Sequence, residues 1–456
     1  MKQKIDFTQG SILGPLMKFT LPIIAALILQ ALYGAVDLLV VGQFASPGAV
    51  SAVATGSQVL HTLTLLITGL AMGITVLIGQ QIGQKNSQDV GHTVGTGIIL
   101  FTIVSILITA VMMFATPAFV RLLQAPKEAF ADTVSYVMIC SGGILFIAAY
   151  NILGSIFRGI GDSKTPFIAV LIACIGNVIL DLVFVAGLHL SAAGAALATV
   201  LAQAFSVILS LILIRRRGLP FPFSREHLKL DKALAGRILR LGFPCALQDV
   251  LVSISFLAIM AIVNSLGVIP SAGVGVAEKL CVFIMLVPSA YMQSISAYVA
   301  QNIGAGQPHR AKRGMLYGMA TSFAFGILLG YLSFFHGELL ARIFSQDTQV
   351  VAAAAQYLKG YSIDTLLTAF LFCFMGYFNG CGKTGFVMIE GIIGAFGVRI
   401  PVSYFFSKAA EVSLFHVSLA TPSSTIVQII LCSVYFLACE KRRKKEDSIS
   451  YSHNTQ

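Results

Sequence analysis

Apolar stretches long enough to cross a bilayer follow one another along almost the whole chain of 456 residues. Hydrophobic residues make up 57% of the sequence, charged residues only 11%, and the mean hydropathy is +0.87. A soluble domain usually carries about 25% charged residues, whereas one membrane helix needs about 20 apolar residues. The sequence therefore predicts an all-α polytopic membrane protein without a sizeable soluble domain.

Twelve membrane spans fit this length when the connections between them are short. The first run contains Asp37 and is too long for the core of a signal peptide, so we expect it to remain as a helix. The predicted spans cover residues 16–43, 51–81, 93–119, 132–158, 166–188, 193–215, 238–266, 271–303, 313–336, 350–379, 385–407 and 413–439.

Lysine and arginine are divided unevenly between the two sets of alternating loops. The set that includes both termini holds 23 of these residues, and the opposite set holds 4. Because basic loops face the cytoplasm, both termini are predicted to be cytoplasmic. The protein itself is predicted to lie in the cell membrane. Basic clusters beside apolar spans contact anionic lipid, so the net charge of +11 indicates a membrane partner and not nucleic acid.

The sequence contains no motif that is typical of an enzyme. Its eight cysteines are dispersed, mostly inside apolar runs, without a Cys-x-x-Cys pair or metal-ligand spacing. It has no phosphate-binding glycine loop, no Ser/His/Asp arrangement and no His-rich segment. We therefore expect neither an enzymatic activity, nor ATP hydrolysis, nor a resident cofactor.

Three motifs recur at a nearly constant offset, which indicates two related halves of six spans in the same orientation. The matched pairs are 80–83 (QQIG) with 301–304 (QNIG), 157–161 (FRGIG) with 378–382 (FNGCG), and 19–22 (FTLP) with 241–244 (LGFP). Halves of this kind are related by an axis along the membrane normal. The predicted parts are a six-helix lobe at 1–217, a cytoplasmic linker at 218–236, a second lobe at 237–440 and a basic tail at 441–456.

Charged residues inside the spans point to the mechanism, because a charge at bilayer depth costs several kcal/mol unless it is paired or neutralised. Asp37 and Asp181 are the strongest candidates among them. Apart from the first and last three residues of each span, the acidic residues in the spans are Asp37, Asp181, Asp249, Glu278, Asp364 and Glu390, and the basic ones are Lys279, Lys359 and Arg399.

An oxygen-rich site is predicted around the two N-terminal aspartates. Asn177 and Asp181 are four residues apart and share one face of the fifth span. Asn151 in span four and Thr199 in span six are expected to face the same point. Carboxylate, amide and hydroxyl oxygens suit Na⁺, and two neighbouring carboxylates in a medium of low dielectric also suit a proton. The residues leave the choice between Na⁺ and H⁺ open.

The second half lacks this acidic pair. At an offset of 221, Asp37 corresponds to Ala258, Asn177 to Val398 and Asp181 to Val402, and Arg399 lies in the counterpart region. The chemistry of the two halves is therefore predicted to differ. We expect Asp364, Glu278 and Arg399 to border a cavity.

Taken together, these motifs resemble the multidrug and toxic compound extrusion (MATE) family, in its prokaryotic branch. Pro22, Asp37, 80–83, 157–166 (FRGIGDSKTP) and 177–181 (NVILD) carry the resemblance, and 194–199 (GAALAT) and 399–401 (RIP) add to it. The resemblance implies a V-shaped pair of six-helix lobes around a cavity that opens to each side in turn. It further implies a cation site, possible for Na⁺, at Asp37, Asn177, Asp181 and Thr199, with Asn151 nearby, and bending of the first helix at Pro22.

The function that we expect is a Na⁺- or H⁺-coupled antiporter. It would export small amphipathic, often cationic drugs or toxins, and it would work as a monomer. The alternative is a flippase for lipid-linked oligosaccharides of the same superfamily. Such flippases carry a basic central cavity, whereas the spans here hold six acidic and three basic residues. A channel is disfavoured, because an internal repeat with buried acids is typical of alternating access.

Overall fold

A computed structural model describes residues 6–409 and 413–454, and within these ranges every regular element is a helix. The helices are α1 (Leu13–Phe44), α2 (Pro47–Gly83), α3 (Ser87–Leu122), α4 (Phe130–Gly142), α5 (Ile144–Gly159), α6 (Lys164–Asp181), α7 (Ser191–Arg217), α8 (Lys232–Asn264), α9 (Val268–Gly304), α10 (Pro308–Phe335), α11 (Gly337–Ala341), α12 (Thr348–Gly380), α13 (Thr384–Ile392), α14 (Ile400–Ser407), α15 (Leu414–Ser418) and α16 (Ala420–Asn454). The all-α prediction is confirmed.

Eleven of these helical segments are long and apolar enough to cross a membrane, and a twelfth span is the bent pair α4 and α5. The bend of 50° lies at Gly143, where adjacent glycines favour a kink. A Cβ atom on Gly143 would lie 2.4 Å from Val200 Cγ2 of α7, so this position needs glycine. The predicted twelve spans are confirmed, but the fourth is broken where the hydropathy shows one continuous run.

Each half also contains a π-helical segment within its fifth span. Leu182–Gly187 continues α6, and Ile393–Arg399 separates α13 from α14. Short π-helical segments often occur at functional sites. The first segment begins directly after Asp181, and the second ends on Arg399.

The chain forms two compact units whose boundaries cut through helices. The first unit contains Met1–Val250, Ala290–Gly318 and Gly376–Gly385, and the second contains Leu251–Ser289, Met319–Met375 and Phe386–Gln456. The lobe boundaries drawn from the sequence remain predictions. α8 already begins at Lys232, inside the predicted linker. Lys2 and Lys4 of the basic N-terminus and the end of the basic tail at 455–456 lie outside the described residues.

Each unit has apolar cores of its own. In the first unit, one core surrounds Ile74, Ile144 and Phe157, and another surrounds Val53 and Tyr136. Gly56 makes room for Tyr136, since a Cβ at residue 56 would lie 2.3 Å from the ring. The core of the second unit includes Val274, Leu358, Tyr357 and Val417.

The sequence repeat is visible in the turns that follow its motifs. Gly161 and Gly382 end the two copies of one motif, and both adopt positive φ, at +81° and +74°. In each turn this glycine donates its N–H to the carbonyl three residues before it, and the next residue bonds to a carbonyl five residues back. A left-handed glycine that closes a helix in this way is a common helix end.

The QQIG and QNIG motifs contact each other reciprocally inside the first unit. Gln80 donates from Nε2 to the carbonyl of Gly380, and Gln301 donates to the carbonyl of Gly159. A Cβ on Gly83 would lie 2.0 Å from Gln301 O, and a Cβ on Gly304 would lie 2.0 Å from Gln80 O. The glycine of each motif thus permits the close approach of the two backbones.

Candidate functional site

The two aspartates that the sequence singles out meet inside the first unit. Asp37 lies in α1 and is 5% exposed, while Asp181 is the last residue of α6 and is fully buried. Their carboxyl groups lie next to each other, and the Asn177 side chain also lies beside Asp37. Thr199 of α7 donates from Oγ1 to Oδ2 of Asp37 at 3.2 Å. The structure therefore brings together four of the five residues predicted for the cation site.

Most polar atoms of this acid pair and its amide neighbour lack a hydrogen bond of normal geometry. They are Oδ1 of Asp37, both carboxyl oxygens of Asp181, and the oxygen and nitrogen of the Asn177 amide, and all are buried. Buried polar atoms are nearly always satisfied in folded proteins. A cation or proton held between the carboxyl groups would satisfy the oxygens, so the geometry fits a hard cation.

No cluster of three or more His, Cys, Asp or Glu side chains suited to a metal ion occurs within residues 6–409 and 413–454. The acid pair offers two carboxylates, and its neighbours Asn177 and Thr199 add one amide oxygen and one hydroxyl. Hard oxygen ligands of this kind suit Na⁺ or a proton better than a transition metal.

A cavity of about 150 Å³ adjoins the acid pair. Thr199 lines the cavity, and its hydroxyl donates to Asp37. The polar residues around the cavity are Gln30, Tyr33, Thr64, Thr68, Tyr150, Asn151, Arg158, Ser163, Thr199, Gln203 and Gln293. Thr199 is thus the residue through which the cavity borders the acid pair.

Two side chains of α1 that the sequence prediction missed also face this cavity. Gln30 donates to the hydroxyl of Tyr150, and Tyr33 accepts a hydrogen bond from Gln203 at 3.4 Å. Gln30, Tyr33 and Asp37 follow one another at three and four residues, which places them on one face of α1. A polar stripe through an apolar span was a signal in the sequence that hydropathy averaged out.

Asn151 is near the site but bonded elsewhere. It lines the cavity with Thr199, accepts from Thr68 at 2.9 Å, and donates to the carbonyl of Ile147 at 2.8 Å. The structure therefore places it at the cavity and not at the acid pair. Pro22 lies within α1, which continues on both sides of it, and its predicted role in bending stays a prediction.

The charged residues predicted to border a cavity in the second half lie in the second unit. Asp364 is 2% exposed and accepts from the hydroxyl of Thr425. Arg399 donates to Ser255 Oγ at 3.0 Å and lies 4.5 Å above the ring of Phe256. Asp364 and Arg399 are close enough to interact electrostatically, so this carboxylate has a cation of the protein's own nearby.

Glu278 is the third of these residues and is only partly buried. Its Oε1 atom is buried and has no hydrogen-bond partner. The neighbouring Lys279 points elsewhere, with its ammonium group 5.9 Å from the ring of Phe344.

The chain matches one family model twice. The MatE model matches residues 22–183 and 244–405, so the matched segments begin and end at an offset of 222. The first match contains Asp37, Asn177 and Asp181, and the second contains Asp364 and Arg399. These two segments together cover most of the chain and agree with the repeat found in the sequence.

Curated relatives and a solved structure are similar over nearly the full length. YpnP, a probable multidrug resistance protein of Bacillus subtilis, is 28% identical over 403 residues, which are 88% of this chain and 90% of the relative. YoeA of the same organism, also a probable multidrug resistance protein, is 25% identical over 433 residues, 93% and 94% of the two chains. A crystal structure of a MATE in complex with MaL6 has a TM-score of 0.91 at 19% identity and covers 98% of this chain and 100% of that one. The structural likeness concerns the fold alone.

Proposed function

This chain belongs to the MatE family of multidrug-efflux transporters, and we propose that it is a cation-coupled antiporter of amphipathic, often cationic drugs or toxins. It would work by alternating access, with Na⁺ or H⁺ as the coupling ion at Asp37, Asn177, Asp181 and Thr199. The observation that carries the proposal is the position of Thr199, which lines the cavity and donates from its hydroxyl to Asp37. A substrate in the cavity and a cation between the carboxyl groups thus act on the same side chain.

The coupling follows from the charge of the acid pair. Two carboxylates buried side by side repel each other and are costly at bilayer depth, so a bound cation or proton strongly stabilises any arrangement of helices that keeps them together. An arrangement that separates them, or exposes them to water, is favoured once the cation leaves. A ligand shifts a conformational equilibrium only by its difference in affinity for the two states, and the buried pair supplies that difference.

The setting that we propose is the cell membrane, with both termini in the cytoplasm, lipid around the apolar helix faces and the monomer as the working unit. The uneven distribution of lysine and arginine supports this orientation. In it, the coupling ion would move inward through the first unit while the drug moves outward.

The test is transport by the purified protein in proteoliposomes that contain a fluorescent cationic dye. A Na⁺ gradient is imposed at equal pH, and a pH gradient is then imposed at equal Na⁺. We expect one of these ion gradients, or both, to drive the dye against its own concentration gradient. If, under both gradients, the dye moves only at the rate measured in liposomes without protein, the protein is not an antiporter coupled to either ion.

A further inference from the structure

The cavity of the first unit has a basic end that the proposed coupling does not use. Arg158 lines the cavity from the last turn of α5. Within the described part of the chain, the cavity lining contains no aspartate, glutamate, lysine or histidine. Arg158 is therefore the charged residue of the cavity lining.

The guanidinium of Arg158 is held in place but not neutralised. It donates from one terminal nitrogen to Ser155 Oγ at 2.8 Å, and its other terminal nitrogen would lie 3.2 Å from a Cβ on Gly154, so the glycine leaves room for it. Its Nε atom is buried without a hydrogen-bond partner. Among the residues that the structure describes, no acidic side chain forms an ion pair with it. Arg158 is half-buried, and a charge that is partly removed from water without a counter-charge is costly, which calls for an anionic partner from outside the chain.

A second donor lies at the same cavity. Ser163 lines it, is 2% exposed, and its Oγ has no hydrogen-bond partner. Ser163 precedes α6 at the position of an N-cap, yet its side chain forms no capping hydrogen bond. A guanidinium and a free hydroxyl can bind one carboxylate together, since charge-assisted hydrogen bonds to Arg are strong and directional.

Acceptors line another part of the same cavity. Gln203 donates from Nε2 to Tyr33, but its Oε1 is buried without a partner. Thr199 lies on α7, one helical turn before Gln203, and is backed by Asp37. The cavity thus offers hydrogen-bond donors at Arg158 and Ser163 and an acceptor at Gln203 beside the acid pair.

We propose that Arg158 and Ser163 form a carboxylate-binding subsite, so that the cavity selects amphiphiles that carry a carboxylate together with a protonated amine. The inference rests on the proposed transport function, because it describes the substrate of the same cavity. The volume of about 150 Å³ resembles that of an engineered cavity that binds benzene. It suits the aryl-carboxylate end of a ligand better than a whole drug molecule.

Two dyes that differ in one group provide the test. Rhodamine 110 has a free carboxylate, and rhodamine 123 is its methyl ester. Binding of each to the purified protein is measured by fluorescence anisotropy in neutral detergent, without any gradient. We expect the wild type to bind rhodamine 110 about tenfold more tightly or better, the range that hydrogen bonds to a charged group supply.

The variants separate the carboxylate contact from a general effect on the cavity. Arg158→Gln should abolish the preference for rhodamine 110 and leave the affinity for rhodamine 123 within about twofold, while Arg158→Lys should keep part of the preference. Ser163→Ala should lower it about threefold or more. Arg216→Gln, which removes an exposed cation of α7, is the matched control and should change neither affinity.

Equal affinities of the wild type for the two dyes would overturn the proposal, and so would an unchanged preference in a folded Arg158→Gln variant. If that variant does not fold, the Ser163→Ala ratio decides in the same way. If phosphatidylglycerol competes for the site and rhodamine 110 does not, the guanidinium binds a lipid phosphate. That outcome also overturns the proposal. Asp37→Asn should retain the dye preference, so a failure of ion coupling is distinguishable from a failure of this subsite.

Discussion

The acid pair of the first unit and the charged cluster of the second unit, Asp364 with Arg399, differ in the neighbours of their buried carboxylates. Both place carboxylates within helices that are apolar enough to cross a membrane. Asp37 and Asp181 have each other, an amide and a hydroxyl as neighbours. Asp364 has a hydroxyl and the guanidinium of Arg399. In the proposed function, a cation from solution completes the first cluster, whereas the second cluster contains a cationic side chain of its own.

The comparison predicts its largest effect for removal of a carboxylate from the acid pair. In Asp37→Asn and in Asp181→Asn, we expect gradient-driven dye transport to fall at least about tenfold, to the rate of empty liposomes, because the pair no longer needs a cation. Thermal stability should stay the same or rise, since a buried charge has been removed without leaving a counter-charge behind.

The measurement is the proteoliposome assay, with melting of the same preparations followed in parallel. Asp364→Asn is the matched control and should retain a response to the gradient per folded molecule. Full coupling in both variants of the acid pair would mean that the cation binds elsewhere.

In the second unit, the expected effect of the same kind of substitution is on stability. Asp364→Asn leaves the buried Arg399 without its nearby carboxylate, and loss of one partner of a buried pair costs up to about 3 kcal/mol. The double variant Asp364→Asn/Arg399→Gln should regain much of this loss. Denaturant or thermal unfolding of the four proteins gives the coupling energy, and purely additive losses would show that the two charges do not stabilise each other.

A smaller effect is expected at Thr199. The second half contains a counterpart of this residue, so the two positions can be compared directly. The sequence Leu-Ala-Thr ends at Thr199 in the first half and at Thr421 in the second, and both threonines are buried. Thr199→Val removes the hydroxyl that Asp37 accepts from, and a hydrogen bond to a charged group is worth about 1.5–3 kcal/mol. The concentration of coupling ion at half-maximal transport should therefore shift about tenfold. It should rise if the ion is Na⁺, which loses a ligand oxygen, and fall if it is H⁺, because the ionised carboxylate loses the hydrogen bond that stabilises it. Thr199→Ser should behave as wild type.

Thr421→Val serves as the control for this prediction. Its Oγ1 has no hydrogen-bond partner, so the concentration of coupling ion at half-maximal transport should not change. A shift of equal size in both variants would indicate a general effect on the helices and would remove Thr199 from the coupling site.

The sequence predicted the parts of this molecule that follow from hydropathy and from the spacing of motifs. Twelve spans, the repeat and the shared face of Asn177 and Asp181 are of this kind, since apolar runs and the helical period constrain them directly. The convergence of Asp37 and Thr199 on that face was implied by the family resemblance. The break at Gly143 and the π-helical segments could not be predicted, because they depend on which side chain of a neighbouring helix meets the backbone.

The residues that line the cavity could not be predicted from the sequence for a related reason. Arg158 is the last residue of the predicted fourth span, yet its guanidinium turns back along α5 past Gly154, and the residue lines the cavity. Asn151 was expected beside the acid pair, but Thr68 and Ile147 hold its amide at the cavity. The direction of a long or amide side chain is decided by tertiary contacts, which a single sequence does not reveal.

The smallest predicted difference concerns the two glutamines of the repeated motif. Gln301 is buried and donates to the carbonyl of Gly159, whereas Gln80 is partly exposed and donates to the carbonyl of Gly380. Gln301→Ala should lower the free energy of unfolding by about 1.5 kcal/mol, because a buried carbonyl loses its donor. Gln80→Ala should lower it by about 0.5 kcal/mol, since water can replace the lost donor. Unfolding of both variants in the same detergent measures the difference, and a larger loss at Gln80 would show that solvent reaches the two equivalent contacts in the opposite order.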